Sequence, residues 1–536
     1  MRRANPILLA IMALSVLLAL IAVVTVWPHF DGLYGQDSFA YYNYSQGPLA
    51  AALEQGELPP SFFWPPGFPL LAWLAMRFLG TGPEAGQFVA LLAGAAVPLF
   101  TSLLAWELFL TPQPLASLSS NGNRALRWTP LLAGLLVVFQ AQLWQSSIVV
   151  MSDTPALATG TAGVWLAARW GRTGRLPTLC LAAGLLAYAL LTRWAYGLVA
   201  LAVTGFALSR LLPAAGAGLA KEKQGTSAHI RHPLRQVLVA GLVVLLVLLP
   251  VWLPAGLDLL GGKRGETVAF AGDLAVYSWS PLNAVRRTFT TTDGHLAYRL
   301  PNGLYYALAP AHRYFFTPLL ALLLLPGLWQ LWRWRTAARL WLIAGWAGLV
   351  IAFHAGAPWQ NFRFTLVYLP PLAIVVALGI TTVLSRLQKL LPGHRQVARL
   401  LLAAWVLVGL GTMAWKGVEL TRFFVERKQA DLATVAWVET ETPPDAHILA
   451  FNMTFTLAQY GSRETEHLFY QTPETVAALV ATGRPLFLLL EVDSFTEQWA
   501  GHRAEHAFRW LQQEPGLVAI GQEREYILYR VNQATR

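Results

Sequence analysis

The sequence predicts a mostly α-helical, polytopic transmembrane protein of about eleven spans, followed by a small extracytoplasmic α/β domain. Three observations carry this. The 536 residues are 55% hydrophobic and 12% charged, more apolar surface than a soluble core can bury, so lipid must be the main solvent. Apolar runs long enough to cross a bilayer recur from residue 6 to residue 417, and Lys and Arg crowd every second connection between them. Beyond about residue 420 the composition becomes that of an ordinary soluble domain.

In order, the spans are roughly 6–27, 86–109, 129–150, 154–170, 176–192, 194–212, 236–256, 316–333, 338–356, 364–385 and 398–417. The first follows Arg2 and Arg3, lacks a small-residue cleavage site and ends in Trp27-Pro28-His29, so it reads as a retained signal anchor with a cytoplasmic N-terminus. Of the 39 basic residues, 19 lie before the first span and in 111–128, 169–176, 210–235, 333–339 and 386–399, which are then all cytoplasmic. The opposite, outer side receives two long connections. Segment 28–85 contains stretches near 37–55 and 67–79 with helical spacing, suggesting short interfacial helices. Segment 257–315 is rich in Tyr, Arg and Asp, and its length favours a binding element over a tether. Residues 1–419 thus form a membrane domain and 420–536 an outer domain. In the latter, 447–453, 485–492, 516–522 and 526–532 read as strands and 430–440, 472–482 and 495–513 as helices.

The same accounting excludes several functions. The formal charge of +11 is explained by the cytoplasmic connections, so no nucleic acid is needed as partner. One cysteine, Cys180, permits neither an intramolecular disulfide nor a cysteine-based metal site. No phosphate-binding glycine loop, dinucleotide fingerprint, H-E-x-x-H or G-x-S-x-G is present, and His29, His295, His312 and His354 lack ligand spacing. No cofactor is expected, although a divalent cation stays open.

Four charged residues fall on the outer side at span ends. Asp37, in GQDSFAYYNYS, sits beside Phe39, Tyr41, Tyr42 and Tyr44, where partial desolvation favours proton acceptance or pairing with a cation; the plainer alternative is a helix cap. Asp153, in MSDTPALATG, carries the Thr-Pro signature of a helix start and reads locally as a cap. Arg193, in LLTRWAYG, and Arg363, in WQNFRFTLVYLPPL, cost about 2.5 to 3.5 kcal/mol each if buried in lipid, so they must snorkel, pair or line a cavity. Both oppose the positive-inside bias, and a lipid-linked phosphate would supply an anion for them. Lys263 and Arg264, with Arg286 and Arg287, offer further phosphate contacts, and Tyr42 is a candidate for the substrate wall.

A carboxylate shortly after the first span in a G-x-D-x-x-x-Y setting, then FFWPPGFPLL, SDTPALA, LLTR and the late NFRF-x-x-x-YLPPLA run, resembles the GT-C class of polytopic glycosyltransferases. Within that class it is similar to the protein O-mannosyltransferase-like and aminoarabinose-transferase-like branch, over roughly residues 1–420. The resemblance implies transfer of a sugar from a polyprenyl-phosphate carrier to an acceptor hydroxyl at the outer face of the cell membrane. By position it implies Asp37 as the general base, Asp153 as a second acidic residue of the active site, and Arg193 and Arg363 as holders of the carrier phosphate. One departure stands out: Ser38 follows Asp37 where many relatives have Glu, so the second carboxylate is missing and neither an acidic pair nor metal-dependent chemistry follows from the resemblance. Two rivals remain at this level. A secondary transporter would show two matching halves, which this chain lacks, and a scaffold using its outer domain to bind a partner leaves the first-loop motif unexplained.

Overall fold

The computed structural model describes residues 6–60, 62–110, 124–209, 233–260, 279–291, 294–334, 340–491 and 497–532. The chain is a multi-pass membrane protein, and each of the eleven apolar runs is occupied by a helix or a pair of helices. The expected count of eleven full spans is not reproduced by helix length. Among the described residues five helices are long and apolar enough to cross a bilayer, six if one bent pair is counted as a span, and four more apolar helices are shorter.

The first long connection follows α1 (Pro6–Val26) with three short helices, α2 (Gly35–Gln46), α3 (Pro48–Glu54) and α4 (Gly67–Leu79), before the spanning α5 (Glu84–Phe109). The bent pair is α6 (Thr129–Val138) and α7 (Ala141–Ser147), broken by 57°. Gln140 makes that break tolerable, because its side chain accepts from Leu143 N and its amide donates to the Tyr314 carbonyl at 2.9 Å. Then come α8 (Asp153–Thr173), α9 (Leu176–Thr192), α10 (Tyr196–Ser209) and α11 (Pro233–Leu260). Gly174, in the left-handed region at φ +65°, closes α8 and turns the chain into α9. At that end a buried ion pair, Arg172 with Glu107, clamps α8 to α5.

The second long connection contains a hairpin of β1 (Thr288–Thr291) and β2 (Gly294–Ala297), then α12 (Asn302–Leu308). The hairpin is absent from the sequence reading. Helices α13 (Thr317–Ala321), α14 (Leu324–Arg333), α15 (Trp341–Gly356) and α16 (Leu369–Leu390) complete the bundle, with α16 buried along most of its length as its central post.

Helix α17 (Arg395–Glu441) joins what the sequence reads as a last span and a separate soluble helix. Its 47 residues extend about 70 Å, more than twice a bilayer's hydrocarbon thickness, so its far half stands clear and becomes one wall of the C-terminal layer. That layer is a five-stranded sheet in the order β4-β3-β5-β7-β6, from β3 (His447–Ala450), β4 (Glu464–His467), β5 (Leu486–Leu490), β6 (Leu517–Glu523) and β7 (Tyr526–Val531). β3 pairs in parallel with β4 and β5, and β7 pairs antiparallel with β5 and β6. The all-apolar β5 is central and covered on both faces. Phe487 and Leu489 meet α17 and α18 (Thr454–Tyr460), while Leu486, Leu488 and Leu490 meet α19 (Pro473–Ala481) and α20 (Arg503–Gln513). β4 and α18 are absent from the sequence reading, because the polar ETEH has no apolar alternation and TFTLAQY is too short to show a period.

Candidate active site

Two non-helical stretches deliver the acidic residues. The turn 29–34 leads into α2, where Gly35 supplies a positive φ of +71° and Asp37 falls in the first turn. Ser38 ties this start down: its hydroxyl accepts from Tyr34 N at 2.7 Å and donates to Tyr34 O at 2.8 Å. The second stretch, 148–152, follows the broken helix and ends at Asp153, the first residue of α8. Neither acid is a cap. The N-cap positions are Tyr34 and Ser152, neither with a capping side chain, so the local capping readings give way to pairing with cations.

Buried backbone at membrane depth must be satisfied internally, and here it is. Val150 N donates to the Gly32 carbonyl at 2.9 Å, and the buried Gln87 of α5 donates to Phe30 O at 3.0 Å and Ile148 O at 2.8 Å. One amide therefore holds both acid-bearing stretches together.

The arginines arrive from the opposite wall. Arg193 ends α9 in an extended conformation, its position fixed where α4 crosses: Tyr188 donates to Gly67 O at 2.6 Å, and Gly67 lies against the Leu191 backbone. Arg363 opens the 3-10 segment Phe362–Tyr368, with its N–H donated to the capping Asn361 side chain at 3.0 Å.

The four side chains form one alternating chain of charge. Arg363 Nη2 donates to Asp37 Oδ2 at 2.8 Å, Arg363 Nε lies 3.6 Å from Asp153 Oδ2, and Arg193 Nη1 donates to Asp153 Oδ1. Asp153 is 3% exposed and sits between both guanidinium groups; Asp37, at 30%, is the open end. Both arginines also flank the Phe364 ring, at 5.2 and 5.9 Å, and Arg363 Nη1 contacts Met151 Sδ at 3.0 Å. Arg363 Nε and Asp153 Oδ2 have no hydrogen-bond partner among the described residues.

Of the residues the sequence singles out, the structure thus brings together Asp37, Asp153, Arg193 and Arg363. Tyr42 is elsewhere, donating to the Thr81 carbonyl at 3.1 Å; Tyr41 is the ring that turns toward the site, bonded to Ser152 Oγ at 3.0 Å. Helical spacing distinguishes them, since Tyr41 is four residues after Asp37 and shares its face. Lys263 and Arg264 lie outside the described residues. Arg286 and Arg287 are exposed and apart from the cluster. The described part of the second long connection works as a brace: Asn302 donates to Ala357 O and Tyr306 to Trp359 O at 2.8 Å, fixing the approach to Arg363. Among the described residues no three His, Cys, Asp or Glu side chains group so as to hold a metal ion.

No protein-family model matches the chain, and no curated protein matches it in sequence. Solved structures do. Apo ArnT from Cupriavidus metallidurans superposes with a TM-score of 0.59 at 14% identity, covering 97% of this chain and 98% of that one. The same protein bound to undecaprenyl phosphate gives 0.58 at 12%, over 97% and 98%. The oligosaccharyltransferase AglB from Archaeoglobus fulgidus, in complex with an inhibitory peptide and a dolichol-phosphate, gives 0.52 at 13%, over 98% of this chain and 74% of that one. ArnT and AglB are both GT-C glycosyltransferases, and this chain shares their fold from end to end.

Proposed function

We propose that this GT-C-fold chain is a membrane glycosyltransferase that transfers a sugar from a polyprenyl-phosphate carrier to an acceptor hydroxyl at the outer membrane face, with inversion and with Asp37 as general base. The carrying observation is the alternating Asp37–Arg363–Asp153–Arg193 chain, on the side of the bundle that bears the C-terminal layer. The orientation rests on the basic connections, which put this side outside when the N-terminus is cytoplasmic. A lipid-phosphate donor is supported by the fold shared with one protein bound to undecaprenyl phosphate and another in complex with a dolichol-phosphate.

The chemistry follows from the pairing. Asp153, buried between two guanidinium groups, is paired with both and orients both. Arg363 faces Asp153 through Nε and gives Nη2 to Asp37, the more open of the two acids. A carrier phosphate entering beside Arg363 competes with Asp37 for that guanidinium, which leaves the Asp37 carboxylate to accept the acceptor's proton. The acceptor oxygen then bonds to the anomeric carbon as the carbon–oxygen bond to phosphate breaks, and the arginines offset the charge gathering on the leaving phosphate.

The test is to incubate the purified chain with a panel of polyprenyl-phosphate sugars and follow release of the unglycosylated carrier. Consumption of at least one donor supports the reading; a chain that binds a partner through its C-terminal layer but consumes none is a scaffold, and one that carries a labelled solute into vesicles is a transporter.

A further inference from the structure

A buried lysine outside the charged chain has no part in the chemistry above. Lys428 projects from the far half of α17, its side chain only 3% exposed, and its ammonium donates to the Leu33 carbonyl at 2.9 Å and to Tyr460 Oη at 2.7 Å, with Asp31 Oδ1 at 3.5 Å. Asp31 in turn accepts from Tyr460 Oη and, at 3.1 Å, from Leu33 N. An ammonium is costly to bury unless its donors are met, and all its partners here belong to two segments: the turn that sets the start of α2, and α18 of the C-terminal layer.

Resting on the reading of Asp37 as base, we infer that Lys428, with Asp31 and Tyr460, is a positioning latch by which the C-terminal layer holds Asp37 in register. Asp37 lies four residues beyond Leu33; Ser38 of its own helix ties down Tyr34 and Gly35, but the stretch before Tyr34 takes its anchors from outside that helix. Lys428 and Asp31 anchor one flank at Leu33. Rings act on both sides of Gly35: Tyr34, before it, packs edge-on against Phe424 of α17 at 4.7 Å, and Phe39, beyond it, packs on Phe455 and Tyr460 of α18 at 6.1 and 6.3 Å. The ammonium also lies 5.3 Å from the Phe39 ring. The C-terminal layer therefore does more than cover the site. A base must be held to within a fraction of an ångström to act, and this helix start is held by the layer.

The chain in detergent is tested with a polyprenyl-phosphate sugar that it consumes in the panel assay, comparing wild type, Lys428→Met, Tyr460→Phe and Asp37→Asn for kcat, donor KM and thermal midpoint. The latch predicts that Tyr460→Phe, which deletes one hydroxyl, lowers kcat roughly tenfold, with donor KM changed less than about twofold because Arg193 and Arg363 are untouched. Lys428→Met lowers kcat further, and if it fails to fold, Tyr460→Phe decides alone. An unchanged kcat in Tyr460→Phe, or a rise in donor KM as its main effect, overturns the latch while a dead Asp37→Asn leaves the base assignment standing. Full activity in Asp37→Asn removes the base itself, and the latch with it.

Discussion

At the residue scale, Arg363 is the hinge of the site, because one planar guanidinium faces Asp37 through Nη2 and Asp153 through Nε at the same time. A lysine carries the charge but not the fork. Arg363→Lys is therefore expected to lose roughly tenfold or more in donor KM and to lower kcat as well, measured as initial rates over a donor titration. An unchanged donor KM would remove Arg363 from the phosphate site. Sequence alone singled out the four charged residues as isolated groups at the ends of apolar runs. That they touch one another was not legible: Asp37 and Arg363 are 326 residues apart, and spacing says nothing about which spans pack together. The same limit hid Gln87 and Lys428, whose carbonyl partners lie 57 and 61 residues away for the first and 395 for the second.

At the scale of elements, the site depends on two crossings. Helix α4 begins directly against the end of α9, where a Cβ on Gly67 would meet the Leu191 carbonyl oxygen at 2.7 Å. Gly67→Ala must push the two apart and carry Arg193 with it, so a stability loss of about 1–3 kcal/mol and a weakened donor interaction are expected together. Thermal unfolding and donor KM measured on one preparation check this; a variant as stable and active as wild type would mean that the crossing is loose. Away from the site, α14 and α16 approach through Gly327, against the Val375 carbonyl of α16, and Gly379, against the carbonyl of Leu323 at the start of α14. There Gly379→Ala is expected to lower the thermal midpoint without altering donor KM in the protein that remains folded. Helix positions were readable from hydropathy to within a few residues over most of the bundle. The 57° break at residues 139–140 and the union of the last span with the next helix were not, since apolar content does not reveal where a helix bends or continues.

For the whole molecule, the membrane bundle and the C-terminal layer are one mechanical object joined by α17. The layer carries its own pH sensitivity. His467, at the end of β4, is packed among Phe451, Phe455, Phe469 and Tyr470, and burial pushes its imidazole down to about 4, while its Nδ1 accepts from Phe469 N at 3.1 Å. The unfolded layer takes up that proton near pH 6.5 and the folded one only near 4, so stability is full above 6.5 and declines as pH falls through that interval. The thermal midpoint should drop between pH 7 and pH 5, and His467→Gln should flatten the decline; an identical decline in the variant would place the sensitivity elsewhere. If the C-terminal layer positions Asp37, transfer should weaken over the same interval, beyond what titration of the base itself explains.

The central claim is that Asp37 takes the acceptor's proton at a site where arginines hold the carrier phosphate, and a single-turnover comparison of wild type with Asp37→Asn on the consumed polyprenyl-phosphate sugar tests it most directly. The account predicts that the variant binds the donor as tightly as wild type or more so, Arg363 being released from its carboxylate partner, yet transfers sugar on the order of 10²–10⁴-fold more slowly. Transfer by Asp37→Asn at the wild-type rate, or loss of donor binding with the transfer rate of the bound complex intact, would contradict it.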